Sequence, residues 1–169
     1  MNYFELFDMA LTLNIDQKEL RKKYLALSRK YHPDYFAQGT ATDQEMALEK
    51  TAVLNKAYKT FGNRDSTIKY LLQEKGLLEE EEKYNLPSAF LMEMMEMNEA
   101  VEEATGEEAV AEAKNKMEKT ETELYGAVAR VLENYQDGVT TTEELLQVKE
   151  YYFKKKYLLR LHRLLAGKL

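Results

Sequence analysis

The chain has 169 residues, of which 32% are charged and 44% hydrophobic, enough for one ordinary domain or two small ones and typical of a folded globular protein. Cysteine is absent, which excludes disulfides, thiolate metal sites, a cysteine nucleophile and cysteine ligation of an iron–sulfur cluster. Seven glycines, two prolines and the lack of any GxGxxG or GxxxxGK[ST] stretch disfavour turn-rich β architecture and glycine-cradled phosphates.

In chain order, every segment of length reads as helix. "NYFELF" is a short apolar turn or two. "DQKELRKKYLALSRKY" opens on Asp16-x-x-Glu19, a start resembling a capping box, and carries Leu20, Tyr24, Leu27 and Tyr31 at helical spacing. Pro33 ends it, because the residue before proline is pushed out of the α region. After the polar loop "DYFAQGTAT", Thr42-x-x-Glu45 predicts the cap of a second long helix with a Leu54, Ala57/Tyr58, Phe61 stripe, stopping near Gly62-Asn63. "DSTIKYLLQEKG" is a shorter helix ending at Gly76.

"LLEEEEKYN" is the expected boundary between two domains, since four successive glutamates repel one another and favour a solvated connection. Leu86-Pro87-Ser88 starts the next helix, which runs to about Gly106; another runs from about Glu107 to Tyr135. "QDGV" marks a turn, and Thr141-x-x-Glu144 caps a last helix reaching Ala166. The fold expected is all-α: an N-terminal domain over residues 1–76, a connection over 77–86 and a C-terminal three-helix bundle over 87–169.

Charge is divided as unevenly as structure. The net charge is −6, yet residues 16–31 hold six bases against two acids, a net of +4, while residues 77–123 hold 15 Glu against four Lys, a net of −11. Two surfaces with different partners are implied. Nucleic acid is not expected, because a single basic helix in an acidic chain offers too little cation for a phosphate backbone. Without a membrane-length apolar run or a basic leader, the expected location is the cytoplasm and no membrane partner is expected.

Two helices have a second face. At about 100° per residue, Lys18, Arg21, Lys22, Leu25 and Arg29 lie opposite the Leu20–Tyr31 core stripe. In the helix from Leu86, Phe90, Met94, Met97 and Val101 form a sufficient core stripe. Met92, Met95, Glu96, Glu99 and Glu103 face the other way, with Leu91 on the flank. Those methionines either touch another helix of the bundle or form an adaptable apolar patch rimmed by acid. Phe153 is a plausible neighbour of such a patch, although Tyr151, Tyr152 and Phe153 cannot all be buried or all exposed.

His32-Pro33-Asp34 admits four roles. Catalysis needs a nucleophile and oxyanion donors, which do not accompany the pair. A metal needs more ligands than one imidazole and one carboxylate, and His162 lies apart among Arg160 and Arg163, so no metal or other cofactor is expected. A purely structural helix stop remains open. So does recognition, with Pro33 fixing the backbone and Asp34 offering a carboxylate to a partner's arginine.

"ELRKKYLALSRKYHPD", a loop and then "LNKAYKTFGN" resemble the J-domain of DnaJ-type co-chaperones. "YFELFDM", "YLLQEKG" and "LPSAFLMEMMEMNEAVEE" extend the resemblance to HscB-type iron–sulfur co-chaperones over most of the chain, the last helix matching loosely. Lacking cysteine, the chain resembles the bacterial form rather than animal mitochondrial relatives with a cysteine zinc module. The resemblance implies a non-enzymatic co-chaperone that stimulates a DnaK/HscA-type ATPase chaperone and delivers an IscU-type scaffold protein to it. It implies chaperone contacts at His32, Pro33, Asp34, Arg21, Lys22 and Arg29, with Leu25 where many J-domains carry a base. It implies scaffold contacts at Leu91, Met92, Met95, Glu96, Glu99, Glu103 and Phe153, largely the residues the helical wheel selects. The competing expectation is a generic J-protein whose bundle binds another client or dimerises.

Overall fold

The computed structural model describes residues 1–168, and all regular structure among them is helical. Seven α-helices follow in order: α1 Tyr3–Leu6, α2 Gln17–Lys30, α3 Ala41–Phe61, α4 Arg64–Glu74, α5 Ser88–Glu103, α6 Glu107–Asn134 and α7 Thr142–Ala166; a 3-10 turn, Pro33–Phe36, stands between α2 and α3. The chain divides into two compact units, residues 1–71 with 135–139, and residues 72–134 with 140–169.

The first unit is organised around Phe61. Its ring, fully buried, meets Phe4 at 4.7 Å, Phe7 at 6.0 Å and, edge-on, Tyr3 at 6.2 Å. Aromatic contacts of this kind add about 0.5–1.5 kcal/mol each to the burial itself. They explain why so short a helix as α1 persists, helped by the reciprocal cap between Asn2 and Glu5. Helices α2 and α3 pack as an antiparallel hairpin whose register is fixed by polar contacts and a ring stack. At one end Gln17 Nε2 donates to the Phe61 carbonyl at 2.9 Å; midway Tyr24 stacks on Tyr58 at 4.0 Å and its hydroxyl donates to Asn55 Oδ1; at the other end Thr51 Oγ1 donates to the Tyr31 carbonyl. That last bond holds the end of α2 just where the chain turns into His32.

Helix α3 starts two residues earlier than the Thr42 pattern predicts. Its cap is Thr40, whose side chain accepts from the Asp43 N–H at 3.1 Å, and Gln44 Nε2 donates back to the Ala37 and Gly39 carbonyls. The loop is thereby stitched to the first turn of α3, and Thr42 falls inside the helix. The remaining caps form at the expected residues: Asp16 accepts from the Lys18 and Glu19 N–H groups, and Thr141 and Glu144 make a full capping box. Gly76, at φ +70°, ends α4 with a Leu77 N–H to Leu72 carbonyl bond of the Schellman type, a conformation that side chains other than glycine adopt at a cost.

The second unit is the three-helix bundle α5–α6–α7, with Phe90, Met94, Val101, Met117, Leu158 and Leu161 among the residues of its core. Between α4 and α5, residues 77–86 are partly solvated, with Glu79, Glu80 and Glu81 exposed as an acidic run suggests, but the segment is also anchored. Leu78 is buried, and Glu82 reaches Lys149 on α7 at 2.7 Å with only 19% and 13% of their side chains exposed. A tight turn sets this up: the Glu79 N–H donates to Glu82 Oε1, the Glu82 N–H donates to the Glu79 carbonyl, and Glu81 takes a left-handed φ of +56°. Lys149 is what the sequence pattern omits, since a glutamate of an acidic run that meets a cation is relieved of its neighbours' repulsion. The Lys149 hydrogen bond, followed by the Glu79 N–H, holds the Glu82 carboxyl below its ordinary 4.5.

Two measurements test these assignments. Thr40→Ala should cost about 1 kcal/mol in urea unfolding, whereas Thr42→Ala should leave the midpoint nearly unchanged. A cost at Thr42 alone would restore the pattern-based cap. Glu82→Gln should destabilise by about 1–2 kcal/mol at neutral pH, because a mostly covered ammonium loses its charged partner. Since the folded carboxyl is depressed, its contribution is complete above the ordinary value of 4.5 and lost as pH falls through the folded value. The gap between Glu82→Gln and the unaltered protein should therefore close at acid pH; a gap independent of pH would contradict the ion pair.

Candidate functional site

In the first unit, the candidate surface is the outer side of α2 and the turn beyond it. Leu20 is fully buried, Tyr24, Leu27 and Tyr31 are half-buried, and Lys18, Arg21, Lys22, Leu25 and Arg29 are all exposed, so the helix divides as its periodicity predicts. Lys22 meets Glu19 at 3.9 Å, an exposed pair of little energetic weight. Among the described residues no carboxylate is recorded against Arg21 or Arg29, which leaves their charge directed at solvent.

His32 caps the 3-10 turn: its Nδ1 accepts from the Asp34 N–H at 3.2 Å, and Pro33 supplies the fixed φ of the first position. Because Nδ1 is used as an acceptor, the nearby Asp34 Oδ2, 3.6 Å away, is not bonded to it in the neutral ring. The Asp34 side chain is 91% exposed and receives no bond that would tie it down. Tyr35 beside it is also exposed. The arrangement lacks an oriented imidazole–carboxylate pair, so as general-base machinery it is incomplete. What it does offer is a short, conformationally fixed turn projecting a carboxylate and an imidazole next to an exposed basic face. His162 is elsewhere, on α7 in the other unit, with Nε2 3.1 Å from Glu121 Oε2 of α6. Among the described residues, no group of three or more His, Asp or Glu side chains is placed to hold a metal ion.

In the second unit, α5 buries Phe90, Met94 and Val101 and half-buries Met97. Met92 and Met95 are 64% and 61% exposed, and Leu91, Glu96, Glu99 and Glu103 are exposed with them. The two methionines therefore do not pack in the bundle. They form an apolar strip about one turn long, flanked by carboxylates, on the side of α5 away from its core stripe. Thioethers on such a strip adapt to a partner's contours, and the acid rim selects a basic one.

Phe153, on α7, is half-buried. It lies one turn before Tyr157, whose ring meets Phe90 edge-on at 6.2 Å. The three successive aromatics of α7 resolve as one buried ring, Tyr151, and two partly covered ones, Tyr152 and Phe153. The cover over Phe153 comes from Tyr84 in the 77–86 strap, stacked on it at 4.7 Å and 3°. Lys149 Nζ lies 5.7 Å from the Tyr84 ring centre. Burial, then the nearby Glu150 carboxylate, pushes the Tyr84 hydroxyl above its usual range, so it stays neutral in this setting. Tyr84 escaped the sequence reading. Its one signal was the crowding of aromatics at 151–153, not all of which a single helix face can bury.

Comparison with known proteins covers both surfaces. The HSCB C-terminal oligomerisation domain matches residues 86–165. The iron–sulfur cluster co-chaperone protein HscB of Homo sapiens is 31% identical over 152 residues, or 89% of this chain and 64% of that protein. A co-chaperone protein HscB homolog of Vibrio vulnificus is 33% identical over 148 residues, spanning 86% of this chain and 80% of that one. The crystal structure of the human co-chaperone HscB superposes with a TM-score of 0.82 at 28% identity, covering 99% of this chain and 82% of that one. For the chaperone HscB from Vibrio cholerae the TM-score is 0.76 at 27% identity, over 99% and 96%. The matched stretches span somewhat less than two thirds of several relatives' own length, 64% for the human protein and 62% for one of Vibrio cholerae. No helix among the described residues is long and apolar enough to cross a membrane. At 33% identity over 86% of its length, covering 80% of the Vibrio vulnificus relative, the chain belongs to the HscB co-chaperone family.

Proposed function

We propose that this protein is an adaptor in iron–sulfur cluster assembly, with one surface for a DnaK/HscA-type ATPase chaperone and another for an IscU-type scaffold protein. The observation that carries the reading is the His32-Pro33-Asp34 turn, fixed in backbone with its carboxylate exposed, at the end of a helix whose outer face is basic and exposed. Arg21, Lys22 and Arg29 steer an acidic region of the chaperone onto α2, and Asp34 accepts a bidentate arginine where the helix ends. The Met92–Met95 strip, with Leu91 and the glutamates Glu96, Glu99 and Glu103, receives a scaffold whose contact surface is apolar and basic-rimmed. Phe153 adds an aromatic ring from α7. The protein turns over no substrate: by holding both partners it raises their local concentration, and its docking favours the hydrolysing, client-capturing state of the chaperone.

A second reading, self-association through the bundle, is favoured by the description of the matching domain and by exposed Leu146, Leu159 and Leu164 on α7. Sedimentation velocity separates them: a monomer that binds scaffold supports the adaptor, whereas a dimer that scaffold neither joins nor disrupts supports self-association.

Asp34→Asn should abolish stimulation of the chaperone's steady-state ATPase without altering the thermal unfolding curve, since an exposed side chain with no tertiary bond is exchanged for an isostere. Stimulation at the unaltered rate would remove the turn from the docking surface. Met92→Ala combined with Met95→Ala should weaken scaffold binding by about 1–3 kcal/mol, as truncation of central apolar contacts does, and leave stability within roughly 0.5 kcal/mol. Unchanged binding with a large loss of stability would return those side chains to the core.

A further inference from the structure

Phe153 presents a problem that its place in the scaffold surface does not resolve. A single aromatic ring on the outside of a helix moves among rotamers, and each rotamer frozen on binding weakens affinity. Here one face of the ring is already covered. Tyr84 lies parallel to it at 4.7 Å, and Tyr152 meets it edge-on at 5.2 Å. Tyr84 is in turn held by the strap: Leu78 is buried on one side of the acidic turn, and the Glu82–Lys149 pair fastens the strap to α7 one turn before Phe153.

We propose that Tyr84 is a positioning residue for scaffold recognition: the strap 77–86, pinned to α7 through Glu82 and Lys149, clamps the Tyr84 ring over Phe153 and fixes the orientation in which Phe153 meets the partner. The inference rests on the reading of Phe153 as a scaffold contact. It goes beyond that reading by assigning a role to a segment whose composition suggests a mere connection.

The alternative, a lid that must swing away to uncover Phe153, is disfavoured by the fastening. Lifting the strap would part an ion pair whose side chains are only 19% and 13% exposed, and would bring Leu78 into water. Both changes oppose binding rather than assist it. A fixed platform requires neither: the partner meets the part of the ring that Tyr84 and Tyr152 leave uncovered, already held in place.

The test is a double-mutant cycle by titration calorimetry, using the full chain and an IscU-type scaffold protein, with thermal unfolding of each variant alongside. Tyr84→Ala should weaken binding roughly 2- to 10-fold, the range expected for losing an aromatic pair, while Tyr84→Phe keeps the stack and binds as the unaltered protein does. Because Tyr84 acts through Phe153, Tyr84→Ala together with Phe153→Ala should bind no more weakly than Phe153→Ala alone. Should Tyr84→Ala fail to fold, Tyr84→Leu retains apolar bulk without the flat face and carries the same expectation. Unchanged or tighter binding by Tyr84→Ala or Tyr84→Leu, or additive losses in the double variant, would overturn the proposal while leaving the scaffold surface intact. If Phe153→Ala and Met92→Ala both bind as the unaltered protein does, the scaffold reading itself falls, and this inference with it.

Discussion

A helix at the edge of a small bundle can bury only one stripe, and most of what this protein offers to partners follows from that limit. In α5, Phe90, Met94 and Val101 saturate the contact with α6 and α7, so whatever lies opposite them must face out. In α2, Leu20 is fully buried while the cationic residues of the outer face stay in water. Burial thus fixes the rotation of each helix about its own axis, and the rotation decides which side chains are presented. The core residues specify the surfaces by exclusion: a methionine strip outside α5 exists because a better-placed methionine, Met94, has taken the inside.

The polar contacts refine what burial leaves loose. Hydrophobic stripes tolerate small slides along a helix pair, whereas the hydroxyl of Tyr24 on Asn55 and that of Thr51 on the Tyr31 carbonyl do not. They bring the end of α2 to a defined height against α3, and the His32 cap then sets the direction in which the chain leaves it. The strap works on the same principle in the other unit. Leu78 supplies burial, and Glu82 with Lys149 supplies the register that lays Tyr84 flat on Phe153.

Much of this was legible in the sequence because helical periodicity is a local signal. The faces of α2 and α5, the stop at Pro33 and the caps at Asp16 and Thr141 all depend on residues within a turn or two of one another. Thr40 was missed for a related reason: Thr42 with Glu45 fits the capping-box spacing better, and only the fold of the preceding loop, drawn back by Gln44, decides for Thr40. The strap was illegible for the opposite reason. Its four glutamates describe their own repulsion, while the cation and ring that order two of its side chains lie far along the chain on α7. Propensity and charge patterning carry no term for such a partner. The residues that the resemblance assigns to partners could be placed on faces but not given geometry, such as the use of His32 Nδ1 as acceptor for the Asp34 N–H.

The central claim is that one chain serves two partners at once. The measurement that reaches it most directly is the steady-state ATPase rate of a DnaK/HscA-type chaperone in the presence of this protein, an IscU-type scaffold protein, or both at matched concentrations. The account predicts a rate with both that clearly exceeds the sum of the separate stimulations, because the adaptor places the scaffold at the chaperone as it docks. A rate equal to that sum, or one indifferent to the scaffold, would contradict it.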